Sequence, residues 1–325
     1  MTQISTLSLQ LISNANLQGE QNTLTGLNEQ LASNQQHDNL TDYTPIDALN
    51  LMSFQNAITQ KQAYVSSMQT VSTRLNVYDA TMTDMENIAS QASTLAAQNS
   101  NINTSQVGSL QQQAQSLLQQ VTTDLNQQVA GRYIYAGTRY ATQPVIDAQS
   151  ILGLATPATN FSPVDNSQLP PYDTNSGTVD ANLIASAWAQ DKVTVDTNDT
   201  LTYGVTSTQG GFQRLVAGLQ LIYAATQTAD PVTYQQDMTA ASGILSTSLT
   251  DIQGYHSGVA AATNTLTQEQ ATQSQNIDNL QNQISNVQSV NLSQVGTELN
   301  LLQTQLQASY SATSTLIQNS ILKYL

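Results

Sequence analysis

The chain has no cysteine, which excludes disulfides, thiolate nucleophiles and cysteine-ligated metal sites together. Histidine is nearly as scarce. His37 and His256 are the only two, and neither sits in an H-E-x-x-H string, so a zinc hydrolase of that type is excluded at the level of motif. Charge is thin as well: only 9% of the 325 residues are Asp, Glu, Lys or Arg, against roughly 25% in an ordinary globular protein, and Gln, Ser, Thr and Asn take their place. Seven basic residues face 22 acidic ones, a formal charge of −15, so no positive surface offsets phosphate repulsion and nucleic acid is not an expected partner. No apolar run approaches the roughly 20 residues of a membrane span, and no membrane partner is expected. The N-terminal MTQISTLSLQLISNANLQGE has neither a basic leading region nor a long apolar run, so a cleaved secretory signal is not expected; export would need another route. G-x-S-x-G, Walker A and G-x-G-x-x-G strings are absent, and no constellation supports an enzyme or a cofactor.

What is present is helical periodicity. Ile4, Leu7, Leu11 and Ala15, then Leu24, Leu27 and Leu31, recur at spacings of three and four, with a polar interruption from Asn14 to Gln21. A long helix is predicted to start at Asp42-Tyr-Thr-Pro45, where Asp or Thr caps and proline fits the first turn. Its seam runs through Val65, Met68, Ser72, Leu75, Tyr78, Met82, Met85, Ala89, Ala92 and Ala96. Methionines at that spacing among Leu, Val and Tyr read as core. A third helix carries Val107, Leu110, Ala114, Leu117, Val121 and Leu125. Helical spacing returns at Phe212, Leu215, Leu219 and Ile222 and resumes after Asp230-Pro231. It is most regular in Leu292, Val295, Leu299, Leu302, Leu306, Tyr310, Thr313 and Ile317.

Between these halves the pattern changes. GRYIYAGT (Gly131–Thr138) reads as a short strand and turn in which Tyr133 and Tyr135 share one face. Five of the seven prolines, at 144, 157, 163, 170 and 171, follow, with the single tryptophan, Trp188. KVTVDTNDTLTYGVT reads as two strands, Lys192–Asp196 and Leu201–Thr206, about a polar turn. Asp196-x-Asn198-x-Thr200 echoes a calcium loop, but Leu201 stands where glycine is needed, so the hairpin turn is the better reading. The expected fold is therefore mainly α: a long helical bundle or coiled coil built from both chain ends, with a small β-rich domain inserted in the middle. The expected domains are 1–40 with 288–325, 41–140 with 208–287, and 141–207. Both ends carry an apolar seam with little local sequence to cover it, so the ends should pair with each other and with neighbouring molecules. The assembly residues expected are Ile4, Leu7, Leu11, Leu292, Val295, Leu299, Leu302, Leu306 and Tyr310. Segments 1–34 and 290–325 are expected to be largely disordered in an isolated monomer.

This order of parts resembles the flagellin superfamily. GRYIYAGTRYATQPV (Gly131–Val145) is similar to the stretch that ends the N-terminal helical half of hook-filament junction proteins, and LNLLQTQLQASYSATSTLIQNSILKYL (Leu299–Leu325) to their terminal helix. LNEQLASNQQHDNLTDYTPIDALNL (Leu27–Leu51) stands at the family's junction between terminal domain and first long helix, although Ser33-Asn-Gln-Gln-His37 replaces the usual Ser-Gly-Lys-like turn. The resemblance implies a structural axial subunit of the bacterial flagellum, forming the junction between hook and filament by self-assembly. It also implies export through the flagellar type III route to an extracellular position. The implied partners are copies of itself, a second hook-associated protein, flagellin, and an export chaperone on the C-terminal helix. Filament flagellin is the alternative within this class. In another class, residues 141–208 could hold an adhesin or glycan-binding module with Trp188 and tyrosines as stacking platforms, though Trp188 reads more simply as a core anchor.

Overall fold

A computed structural model of the chain describes residues 6–101, 105–141, 143–145, 147–153 and 189–321. It is mainly α, with two small antiparallel sheets inserted mid-chain, as the periodicity predicts. The chain divides into two compact units, one of Met1–Gln60 with Gln275–Leu325 and one of Lys61–Ser274. Trp188 and the prolines at 157, 163, 170 and 171 lie outside the described residues.

The terminal unit is built on α1 (Thr6–Ser33) and α7 (Leu292–Ile321). The polar stretch from Asn14 to Gln21 does not interrupt α1, because Leu17 within it is buried and carries the seam across. The helix ends where Asn34 turns into the left-handed region at φ 57°, a conformation that Asn tolerates better than most residues. A bridge between Gln35 and Ser289 and a 2.8 Å hydrogen bond from Gln36 N–H to the Gln288 carbonyl follow at once. Two very long helices, α2 (Pro45–Gln98) and α6 (Pro231–Gln288), contribute to both units. Each begins at a proline after a capping residue. The Thr44 hydroxyl accepts from Asp47 N–H at 3.2 Å and donates to the Asp47 carboxylate at 2.7 Å, and Asp230 accepts from the Val232 and Thr233 amides. Asn291 caps α7 in the same way.

The central unit packs α2 and α6 with α3 (Val107–Leu125), α4 (Ala148–Leu152) and α5 (Gly210–Ala225) around one apolar core. Met68, Met82 and Met85 are fully buried in it, as their spacing predicts. On α3 the seam passes through Leu118 rather than Leu117; four-residue steps from Leu110 through Ala114 keep the buried stripe in line. Strands β1 (Gln128–Val129) and β2 (Arg132–Tyr133) pair about Ala130 and Gly131, both at positive φ. The chain then leaves the strand for a 3-10 turn over Ile134–Arg139. Tyr133 and Tyr135 therefore do not share a face. Tyr133 stays half-buried in the strand, whereas Tyr135 is fully buried and meets the rings of Tyr78 and Phe212 edge to face at 4.9 and 5.5 Å. Tyr78 donates to the carbonyls of Ile134 and Val205, and burial pushes its phenol well above the usual range. Gly204, at φ +83°, leaves room for that ring: a β-carbon there would stand 2.9 Å from Oη. Strands β3 (Asp191–Asp196) and β4 (Asp199–Tyr203) form the expected hairpin, each beginning a residue or two earlier than the sequence suggests, and β4 ends at Tyr203, not at Thr206. Val193, Val195 and Tyr203 belong to the same core.

The helix surfaces share one habit. Exposed threonines, among them Thr59, Thr73, Thr250, Thr267 and Thr304, turn their hydroxyls back to the carbonyl four residues earlier.

Candidate assembly interface

Two helices with apolar seams at spacings of three and four must bury them together or leave them wet. In the terminal unit α1 and α7 do the first in part. Leu17, Leu27, Val295, Leu302 and Leu306 form a small core, flanked by partly buried Leu24, Val290 and Leu299. Around it the contacts are neutral: Gln21 donates to Tyr310 Oη at 2.7 Å, Ser13 and Thr313 hydroxyls meet at 2.6 Å, and Gln36 Nε2 donates to the Ser289 carbonyl at 3.0 Å. Among the described residues, the one charged group hydrogen-bonded across the pairing is Glu20, whose Oε1 accepts from Ser309 while Oε2 is buried without a partner. Met1–Gln60 contains no Lys or Arg at all, and Gln275–Leu325 contains only Lys323. Cohesion between these helices comes from apolar burial and neutral polar groups, with no ion pair among the described residues.

The nine residues singled out from sequence fall into three groups. Val295, Leu302 and Leu306 are buried between α1 and α7, and Leu299 is partly so. Leu11, Leu292 and Tyr310 face solvent at 61%, 46% and 50% exposure. Ile4 and the side chain of Leu7 lie outside the described residues. The structure adds residues that the seam analysis missed. Ile46, Leu49 and Met52 stand three apart on the opening turns of α2, and all three are largely exposed, as are Ile12 and Leu301, with Leu40 more than a third exposed. Of the twelve large apolar side chains exposed among the described residues, all but Tyr140 and Val232 belong to the terminal unit. The signal was legible in PIDALNLM, where apolar residues occupy every third position before the core seam begins.

Chemistry elsewhere is sparse. Among the described residues no group of three or more His, Asp or Glu is placed to hold a metal ion, and no helix is long and apolar enough to cross a membrane. His37 stacks edge to face on Tyr43 in the turn before α2. His256 on α6 bridges two acids of α2, with Nε2 2.9 Å from Asp79 and Nδ1 2.7 Å from Glu86. The hydrogen bond to Asp79 raises its pKa, burial opposes this, and Glu86 adds to the rise. A groove between α2 and α3 holds Asp84 and Asp124; burial, helped by Asp84, pushes Asp124 up to about 6. No histidine or lysine accompanies that pair among the groove's lining residues, which otherwise are amides, hydroxyls and Ile88.

No protein-family model matches the chain. No curated protein matches it either. Among solved structures its fold is similar to that of a protein from Vibrio parahaemolyticus described as flagellar hook-associated, with a TM-score of 0.55 at 12% identity, over 76% of this chain and 100% of that one. At that identity the likeness is one of fold.

Proposed function

We propose that the chain is a structural axial subunit of the bacterial flagellum that assembles with copies of itself through its terminal unit, and that its place is the junction between hook and filament. One observation carries the assembly reading: the exposed apolar side chains are concentrated in the unit made from both chain ends, on surfaces that carry no described positive charge. A monomer that exposes Ile46 at 73%, Leu49 at 70% and Leu301 at 59% has apolar surface to cover. The shared fold with a protein described as flagellar hook-associated, together with the GRYIYAGT stretch and the terminal helix, supports the flagellar placement. On this reading the protein works by packing and not by catalysis. It leaves the cell through the flagellar type III route and adjoins a second hook-associated protein and flagellin, with a chaperone holding α7 before export. The division into 1–40 with 288–325, 41–140 with 208–287, and an outer 141–207 belongs to the same proposal.

Two experiments test it. Labelling the protein in whole flagella of its source should show a short band at the end of the hook; label along the entire filament would make it flagellin, and no label on flagella would sink the placement. Leu49→Asp with Leu301→Asp alters only exposed positions, so the monomer should fold as before while incorporation is lost. Normal incorporation of that variant would remove the terminal unit from the assembly interface.

A further inference from the structure

Positive charge is so rare here that its placement carries information. Of the seven Lys and Arg in the chain, three, Arg74, Arg132 and Lys192, line one groove of about 510 Å³ in the central unit. Arg74 is only 9% exposed, yet it makes no ion pair among the described residues. Its Nη1 donates to Tyr203 Oη at 2.7 Å, and its Nε is buried with no partner. Arg132 lies 3.9 Å over the Tyr140 ring and only 3.8 Å from Asp191, the one acid in the groove. Lys192 is exposed and likewise unpaired among the described residues. Burial pushes the Asp191 carboxyl up against the pull of Arg132 and Arg74, and this one carboxyl faces three cations.

We propose that this groove receives a carboxylate carried by an acidic side chain of a second copy of the chain. Two guanidinium forks and an ammonium beside the hydroxyl of Ser67 match the planar, multiply accepting geometry of a carboxylate. The second copy is favoured by charge. Each copy carries −15 and repels the next, and its terminal unit holds seven acids, including exposed Glu29 and Asp38, against the one base Lys323. A cationic groove on such a chain is where the surface of another copy finds complementarity, and it fixes register as well as offsetting repulsion. The inference rests on the assembly reading above.

The test uses full-length chains prepared with ordinary and heavy nitrogen, mixed at concentrations where sedimentation shows self-association, and treated with a carbodiimide. That reagent joins an ammonium to a carboxylate in contact, with loss of water. Mixed-isotope peptides linking Lys192 to Asp or Glu are expected, and about 1 M salt should suppress them by screening. Lys192→Glu should weaken association on the order of tenfold, and Arg132→Gln should act in the same direction. Association without cross-links at Lys192, or with undiminished strength in Lys192→Glu, would overturn the groove while leaving the terminal interface intact. Failure of the unaltered chain to associate at any concentration would overturn both readings. Citrate, added as a free carboxylate probe, should compete; if it binds the monomer yet leaves association unchanged, the groove takes small molecules and not a second copy.

Discussion

Leu302→Asp with Leu306→Asp places two carboxylates in the five-residue core between α1 and α7. Both leucines are nearly enclosed, at 8% and 7% exposure, so each contributes about 1.5–3 kcal/mol by burial. Removing both therefore costs about 3–6 kcal/mol before charge is counted. Keeping an unpaired carboxylate in the seam costs several kcal/mol more for each, and the terminal unit offers no described cation to relieve it. Glu20, buried against Ser309, adds repulsion. Two buried leucines and a valine would remain to hold helices of 28 and 30 residues, which is not enough. We expect α1 and α7 to separate and lose helicity in the variant monomer, while Lys61–Ser274 keeps its own core. Hydrogen exchange read by mass spectrometry should show amides 6–33 and 292–321 exchanging at once and those of α3 and α5 unchanged. In the unaltered monomer the pair should already exchange far faster than the central unit, since its core is so small. Two results would refute the reasoning: protection of both ends equal to that of α3, or collapse of the central unit together with the ends.

Other outcomes follow from the central unit. His256 has its folded pKa raised, so its contribution is fully present below its unfolded value near 6.5 and is lost as pH rises through the folded one. His256→Gln should flatten that part of the stability-pH curve, and an unchanged slope in urea titrations would show that the bridge to Asp79 and Glu86 is idle. Asp124, raised to about 6, should make the fold lose stability as pH climbs from about 4 to 6, on the order of 2 kcal/mol, and Asp124→Asn should remove the loss. Gly218→Ala puts a β-carbon 2.5 Å from Leu245 Cγ where α5 crosses α6, so a cost of about 1–3 kcal/mol should outweigh the roughly 1 kcal/mol of helix propensity gained, and a raised Tm would contradict the close crossing. Deleting 141–207 through a short linker should leave a soluble helical protein if that segment is a separate domain. Loss of most helical circular dichroism would show instead that Val193, Val195 and Tyr203 are needed by the core.

Much of the fold was legible because its elements are long and regular. A seam repeated over α2, α6 and α7 outweighs any single ambiguous residue, and Thr44-Pro45 and Asp230-Pro231 mark helix starts by chemistry that is local in sequence. What could not be read depends on distance. Tyr135 looked like a strand residue because alternation is visible in sequence, whereas the 3-10 turn that buries it against Tyr78 and Phe212 is set by residues some 57 and 77 positions away. The seam residues were recognisable as apolar, but whether Val295 meets α1 or solvent is decided by the partner helix. The cationic groove was invisible for the same reason: Arg74, Arg132 and Lys192 are scattered along the chain and meet through the β3–β4 hairpin.

The back-bonded threonines change what this surface is made of. Counted by sequence, the helices look studded with hydroxyls that want water. Yet on Thr59, Thr250 and Thr304 the proton is already committed to the helix's own backbone, which leaves the methyl group as the outward partner. Pressing such a residue against another protein strands no donor, so the usual desolvation cost of a hydroxyl is mostly absent. A helix clothed in this way can be wetted when alone and dry when crowded, and it makes the change without any hydroxyl proton finding a new acceptor.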